Sequence, residues 1–267
     1  MKPNPTIATQ PPPRPKRRKA FTLPELLAVI AIMVLVMGFM GPAVNSIKDA
    51  RSFDAEVYNI ADILNQARDY AIANNTYAWV GFFEEKGNDP WVRNKVNAGQ
   101  GRIIISTVAS TDGNRYAATS NTLVADSVAN PTATQIRVTQ ISPLYKFENI
   151  RLAEFPGPDD DNANPNWPVI PSNYQVGSNT FKSSPAFWYP TTSTATASAY
   201  KFEQIIEFSP LGEASRIANH LSQPPTPWIG ISFRATRGAV DDPTQEGLPP
   251  TAILVEGLSG KVKVLMP

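Results

Sequence analysis

A single carboxylate, Glu25, stands at the threshold of the most apolar stretch of the chain, in KRRKAFTLPELLAVIAIMVLVMGFMGPAV (Lys16–Val44). A charge at bilayer depth is costly, so it marks a function or faces a partner. Other chemistry is thinly represented. There is no cysteine and only one histidine, His220. That excludes a thiol nucleophile, a disulfide framework and a multi-histidine metal site. His220 sits in ANHLSQPP beside no nucleophile and reads as a loop residue. Asp159-Asp160-Asp161-Asn162 offers oxygen atoms to calcium but lacks the spaced ligands and distal glutamate of a calcium loop, so it reads as a solvated turn. Gly99-Gln100-Gly101 lacks the rest of any phosphate-binding motif. The five tryptophans are dispersed and need no ligand to explain them. No cofactor, no metal and no enzymatic activity are expected.

The elements around Glu25 set its context. Residues 1–20 hold six of the 24 basic residues and no acid, and they are rich in proline (Pro11, Pro12, Pro13, Pro15), as a disordered cytoplasmic tail would be. From Phe21 onward 18 basic and 23 acidic residues remain, a net charge of −5, which argues against a nucleic-acid-binding domain. Leu26–Val44 is an uncharged run of 19 residues, long enough to cross a hydrocarbon core as a helix. The basic cluster before it should stay cytoplasmic and send the remainder outward. An ordinary secretory signal has a shorter apolar core, although Gly41-Pro42-Ala43 could pass for its cleavage site. A twin-arginine signal is suggested by Arg17-Arg18, but Glu25 has no place in one.

The segment AFTLPELLAVIAIM resembles the class III signal of type IV prepilins and type II secretion pseudopilins. The resemblance implies cleavage between Ala20 and Phe21 by a prepilin peptidase, followed by methylation of the new amine of Phe21. It also implies that Glu25 meets the charged N-terminal amine of a neighbouring subunit, an attraction strengthened by the low dielectric of the membrane. Alanine stands at position 20 where the family usually has glycine. Pro24 falls where a helix N-terminus tolerates proline, and Pro42 matches the late proline at which pilin helices kink.

Beyond the apolar run, Val44, Ile47, Ala50, Val57, Ile60, Ala61, Leu64, Ala67 and Ala71 recur at three- and four-residue steps among charged residues. This spacing predicts an amphipathic helix that packs one stripe on a core and stops near Asn74-Asn75. LNQARDYAIANNTYAWVGF, with Ala67, Arg68, Ala71, Ile72 and Asn75, resembles the helix end and first strand of the GspH/FimT group of minor pseudopilins. IIEFSPLGEASRI and AILVEGLSGKVKVL resemble that group's two strand-turn-strand units, with Gly212 and Gly260 at the turns. Alternation and β-branched content predict strands at 76–83, 102–108, 135–141, 200–209, 228–234, 251–256 and 261–265. Phe155–Pro171, Pro190–Ala199 and Ala239–Pro250 read as surface loops able to carry partner specificity.

The expected fold is α+β and pilin-like: a long N-terminal helix, half transmembrane and half amphipathic, packed on an antiparallel β-sheet. The expected organisation is a cleaved leader (1–20), a transmembrane helix (21–45), an amphipathic helix (46–75) and a periplasmic β-rich domain (76–267). The resemblance implies a single-pass inner-membrane protein that acts as a structural minor pseudopilin. Its implied partners are other pseudopilins or pilins, the prepilin peptidase and an inner-membrane assembly platform. The rival reading is a minor pilin of a type IV pilus with an adhesive or DNA-uptake role, for which Lys261 and Lys263 are thin support. An exported enzyme with an uncleaved anchor is the second rival and would need a polar cleft.

Overall fold

Helix α1 (Leu23–Ala73) stops where two asparagines meet. Asn75 adopts a left-handed backbone with φ 48°, a conformation asparagine tolerates better than most residues. The Thr76 N–H donates to Ala71 O at 3.0 Å and the Asn75 N–H to Ile72 O at 3.3 Å, which caps the last free carbonyls. The expected stop at Asn74-Asn75 is thus where the helix ends.

The structure is a computed structural model. It describes residues 23–87, 99–115, 122–125, 135–156, 166–178, 180–181, 183, 186–190, 200–218, 221–222, 224–243 and 249–266; side chains at 36–51, 122–125, 135, 218 and 221–222 lie outside the description. The chain divides into two compact units, Met1–Asp49 and Ala50–Pro267. In the first, the helix is described from Leu23 onward, with side chains as far as Leu35, and its backbone continues through Pro42.

The second unit holds the rest of α1 and the strands β1 (Ala78–Lys86), β2 (Gly101–Ser110), β3 (Thr122–Ala125), β4 (Gln135–Gln140), β5 (Tyr145–Glu148), β6 (Ile150–Ala153), β7 (Gln175–Val176), β8 (Phe187–Tyr189), β9 (Tyr200–Phe202), β10 (Gln204–Phe208), β11 (Ala214–Ala218), β12 (Leu221–Ser222), β13 (Trp228–Arg237), β14 (Val240–Asp241), β15 (Thr251–Glu256) and β16 (Val262–Leu265). Among the described residues they form two main sheets and a ribbon. The first sheet runs β12-β11-β10-β1-β2-β4-β3 with β5 beside β2, the second runs β14-β13-β15-β16 with β6 and β7 beside β13, and β8 pairs with β9 alone. Pairing is antiparallel except for β3 with β4 and β7 with β13.

The α+β content and the antiparallel sheets match expectation, and four details correct it. There are two sheets where one was expected, and two of the strand pairs are parallel. The expected strand 200–209 divides at Glu203, β9 joining the ribbon and β10 the first sheet. The Phe155–Pro171 stretch is not wholly a surface loop. Phe155 and Ile170 are buried on the outer face of the second sheet, against Ala252 and Leu254, because that face would otherwise expose apolar side chains.

Alternation along β1 explains the layers. Ala78, Val80 and Phe82 face one way and join Phe53, Val57, Ile60, Leu64, Ala67 and Ala71 of α1 with Ile229, Ile231, Ile253 and Val255 of the second sheet. Trp79 faces the other way and joins Phe187 and Phe202 of the ribbon. Gly81 lies under that ribbon. A Cβ there would stand 2.6 Å from Phe187 Cζ and 2.6 Å from Phe202 Cβ, so the close approach requires glycine.

The helical stripe contributes several fully buried side chains, each worth about 1.5–3 kcal/mol for the larger ones, against a total stability of about 5–15 kcal/mol for a typical domain. A chain starting at Thr76 is therefore expected to aggregate, whereas one starting at Asn45 should be soluble and cooperative in thermal unfolding. Size-exclusion chromatography with light scattering checks this, and a monomeric, cooperatively melting Thr76 chain would show that the stripe is dispensable. Leu64→Ala in the longer chain should lose about 2–5 kcal/mol in denaturant unfolding.

Candidate functional site

The N-terminal turns of α1 carry the features that the sequence singled out. Glu25 lies in the first turn, where a carboxylate complements the positive end of the helix dipole, and Pro24 precedes it where a missing N–H does no harm. Around Glu25 the helix is apolar on every side. Leu23, Leu26, Leu27, Val29, Ile30, Ile32, Met33, Val34 and Leu35 are all exposed, from 46% at Val29 to 78% at Leu23. A helix apolar all round is built to be covered by lipid or by other helices. Among the described residues no helix is long and apolar enough to cross a membrane. The uncharged run Leu26–Val44 continues into positions 36–44, whose side chains are outside the description. Ala20 and Phe21, the expected cleavage and methylation residues, also lie outside the described residues, as do His220 and Asp159–Asn162. Pro42 falls within the helical backbone, its side chain undescribed.

A second constellation joins the end of α1 to two turns. The Arg68 Nε–H donates to Ser259 O at 2.7 Å, which ties the helix to the β15–β16 turn. Gly212 and Gly260 sit beside it with φ +81° and +61°. A Cβ on Gly260 would stand 2.2 Å from Gly212 O and 3.0 Å from Arg68 Cδ, and one on Gly212 would stand 2.9 Å from Ile72 Cδ1. The two glycines therefore supply both a positive φ and the room for the turns and the arginine to interlock. The sequence placed these three residues in separate motifs, and the fold brings them together.

Two buried charge arrangements were not foreseen. Glu207 on β10 is fully buried and accepts from Trp79 Nε1 at 3.0 Å, Arg115 Nε at 2.8 Å and Ser215 Oγ at 3.2 Å. Its cross-strand neighbours in register are Trp79 and Ser215, which explains why one carboxylate collects both. The available signal was weak: Glu207 is a lone acid in the apolar run IIEF. Arg102 on β2 lies in register between Glu85 on β1 and Glu148 on β5. Its Nε donates to Glu148 Oε1 at 2.6 Å and its Nη1 stands 3.3 Å from Glu85 Oε2. Buried charges persist only when paired in this manner.

Gly101 has a structural role. Its φ is +107°, and a Cβ there would overlap Gly238 O at 1.7 Å. Lys261 and Lys263 are exposed. Among the described residues no group of three or more histidine, aspartate or glutamate side chains is placed to hold a metal ion.

The model of the prokaryotic N-terminal methylation motif matches residues 15–41. No curated protein and no solved structure matches the chain. The matched segment contains the basic cluster, Ala20, Phe21, Glu25 and the exposed apolar turns. It is the signal of type IV pilins and pseudopilins, and it marks a pilin-type, membrane-anchored protein of the cell envelope.

The interlock at Arg68 can be checked by stability. Gly260→Ala introduces both strain and overlap and should cost about 1–3 kcal/mol. Arg68→Ala should cost about 1–3 kcal/mol by leaving Ser259 O without its donor. Combining the two should cost less than their sum, because both break one contact. Additive losses in denaturant titrations would show that the residues act independently.

Proposed function

We propose that this chain is a structural minor pseudopilin of the GspH/FimT type, assembled with other pseudopilins into the short periplasmic filament of a type II secretion-like system. The observation that carries the reading is the methylation motif at residues 15–41, placed directly before helical turns that are apolar on all sides. Arg68 locked between the Gly212 and Gly260 turns supports the narrower GspH/FimT assignment, since the helix-end motif and both strand-turn-strand units meet there.

In this reading the chain is a substrate for processing and not an enzyme. A prepilin peptidase cuts between Ala20 and Phe21 and methylates the Phe21 amine. The protein stays in the inner membrane by its N-terminal helix, with residues 76–267 in the periplasm. An inner-membrane assembly platform then adds it to the filament. Cleavage creates a positive amine four residues before Glu25, and on a helix that separation is only about 6 Å of axial rise. A neighbouring subunit displaced by about that rise brings its amine level with Glu25. Attraction between the two charges in low dielectric sets the axial register, which apolar contacts alone leave loose because they are non-directional. Pro42 weakens the helical hydrogen bonding at its own position and gives the segment room to adjust during packing.

Two measurements test this. Expressed with a prepilin peptidase, the mature chain should begin at a methylated Phe21 by mass spectrometry; a start near Val44 would indicate an ordinary signal peptide and sink the proposal. In membranes where it is the sole copy, Glu25→Ala should be inserted and cleaved, yet crosslink into filaments at less than about a tenth of the wild-type level. Glu25→Gln should behave alike, because it keeps the shape and loses the charge. Incorporation of both variants at wild-type levels would remove the pairing mechanism. Loss of cleavage would move the role of Glu25 to recognition by the peptidase.

A further inference from the structure

The second sheet ends at β16 (Val262–Leu265), and among the described residues no strand lies beyond it. The ladder decides which backbone groups this edge leaves over. At the β15–β16 turn the Glu256 N–H donates to Lys261 O at 2.9 Å and the Gly260 N–H to Glu256 O at 2.7 Å, so the turn closes on a bonded pair. From there non-bonded and bonded pairs alternate along the register. Val262 opposite Val255 is non-bonded, Lys263 opposite Leu254 is bonded, and Val264 opposite Ile253 is non-bonded. The N–H and C=O groups of Val262 and Val264 therefore point away from β15, toward the open side of the sheet.

The side chains show the same incompleteness. Ile253 and Val255 on β15 are fully buried, whereas Val262 and Val264, at the rim of the same core, are only half-buried. Leu265 likewise rims the outer-face cluster of Ala252 and Leu254. The sheet stops one strand short of covering both faces of its edge. On the outer face with Leu265 stand Lys261 and Lys263, both exposed. Among the described residues no carboxylate pairs with either lysine.

Lysines on an edge strand hinder indiscriminate pairing. Here they discriminate by charge. A second copy adding on a two-fold axis so as to bond both Val262 and Val264 would set Lys263 directly opposite its own counterpart, and like charges opposite one another destabilise a strand pair. A strand with carboxylates at these positions turns the same contacts into attraction. We propose that β16 is an acceptor edge for an extended segment of a partner protein in which aliphatic and acidic residues alternate. The segment's backbone bonds to Val262 and Val264, its aliphatic side chains lie beside those valines over the main core, and its carboxylates lie beside Lys261 and Lys263 on the outer face. Main-chain bonds hold such a segment whatever its sequence, so the two lysines supply the choice of partner. The edge belongs to the β unit and does not depend on how the N-terminal helix is processed or assembled.

Amide hydrogen exchange of the full-length chain in detergent micelles, followed residue by residue by NMR, tests it. The probe is a short capped peptide that alternates valine and glutamate. With the peptide at about ten times its Kd, the Val262 and Val264 amides should exchange about tenfold more slowly. The Lys263 amide, already bonded to β15, should change little. The same peptide with lysine in place of glutamate, or N-methylated at its bonding amides, should leave all three unchanged. Lys261→Glu combined with Lys263→Glu should reverse the preference, so that the lysine peptide protects the two valines and the glutamate peptide does not; both positions are exposed, so the fold is kept. Unchanged valine amides at millimolar glutamate peptide, or equal protection by both peptides, would overturn the proposal. Slowing that appears with protein concentration alone would overturn it by assigning the edge to a second copy. A single-stranded DNA oligonucleotide that binds at the lysines where the glutamate peptide does not would overturn it by assigning them to a polyanion.

Discussion

The structure from Ala50 onward depends on the apolar stripe of α1 being shared by two sheets. Val57, Ile60, Leu64, Ala67 and Ala71 are fully buried and belong to one cluster with the inner faces of both. Neither sheet has another large apolar surface on that side, and sheets of four to eight strands with one bare face are not stable in water. The helix is consequently the shared wall of both sheets. That explains why its small residues matter as much as its large ones. Ala67 and Ala71 let β-strands approach where a larger side chain would hold them off.

How much of this was readable from the sequence follows from periodicity. Val57, Ile60, Leu64, Ala67 and Ala71 repeat at alternating three- and four-residue steps, and the helix stop uses side chains that favour a left-handed turn, so both were legible. The hairpins around Gly212 and Gly260 were legible because alternating strands flank glycines at the turn. The division of the strands into two sheets was not. In YKFENIRLA the inward residues are Tyr145 and Phe147, then Ile150 and Leu152. The phase slips by one at Asn149, and a slip of one exchanges the faces of a strand, so alternation alone fails there. The division at Glu203 was missed for the same reason: Tyr200 and Phe202 share a cluster with Ile205, so the phase slips by one between the two strands. Burial of Phe155 and Ile170 could not be read because loop composition says nothing of which sheet face remains open.

The buried charges belong to a different class of information. Glu207 between Trp79 and Ser215, and Arg102 between Glu85 and Glu148, are each paired with cross-strand neighbours in register. Apolar faces tolerate sliding of one strand on the next, because their attraction is non-directional. A buried ion whose donors sit on the adjacent strand does not, because a slip of one residue leaves it without partners at a cost of several kcal/mol. These rows therefore specify alignment in the first sheet, where the pleat alone would leave neighbouring registers close in energy. A sequence shows such a residue as an isolated acid in an apolar run, and its partners emerge only when the strands are paired.

One further consequence concerns the division of roles along α1. Its first turns are apolar in every direction and exposed, and its later turns are apolar on one stripe and buried. The first pattern leaves the rotation of the helix about its axis undetermined, since every face is equally suited to lipid or to another helix. The second fixes the rotation by burying one side only. A charge is the simplest device that restores a preferred direction to the first pattern, and Glu25, in the opening turn, is the one ionisable side chain among residues 23–35. Directional information in the apolar turns is thereby concentrated in a single carboxylate. In the β unit it is spread over many contacts, so individual changes there erode stability by degrees, while in the proposed assembly a change at Glu25 acts on orientation with little effect on folding.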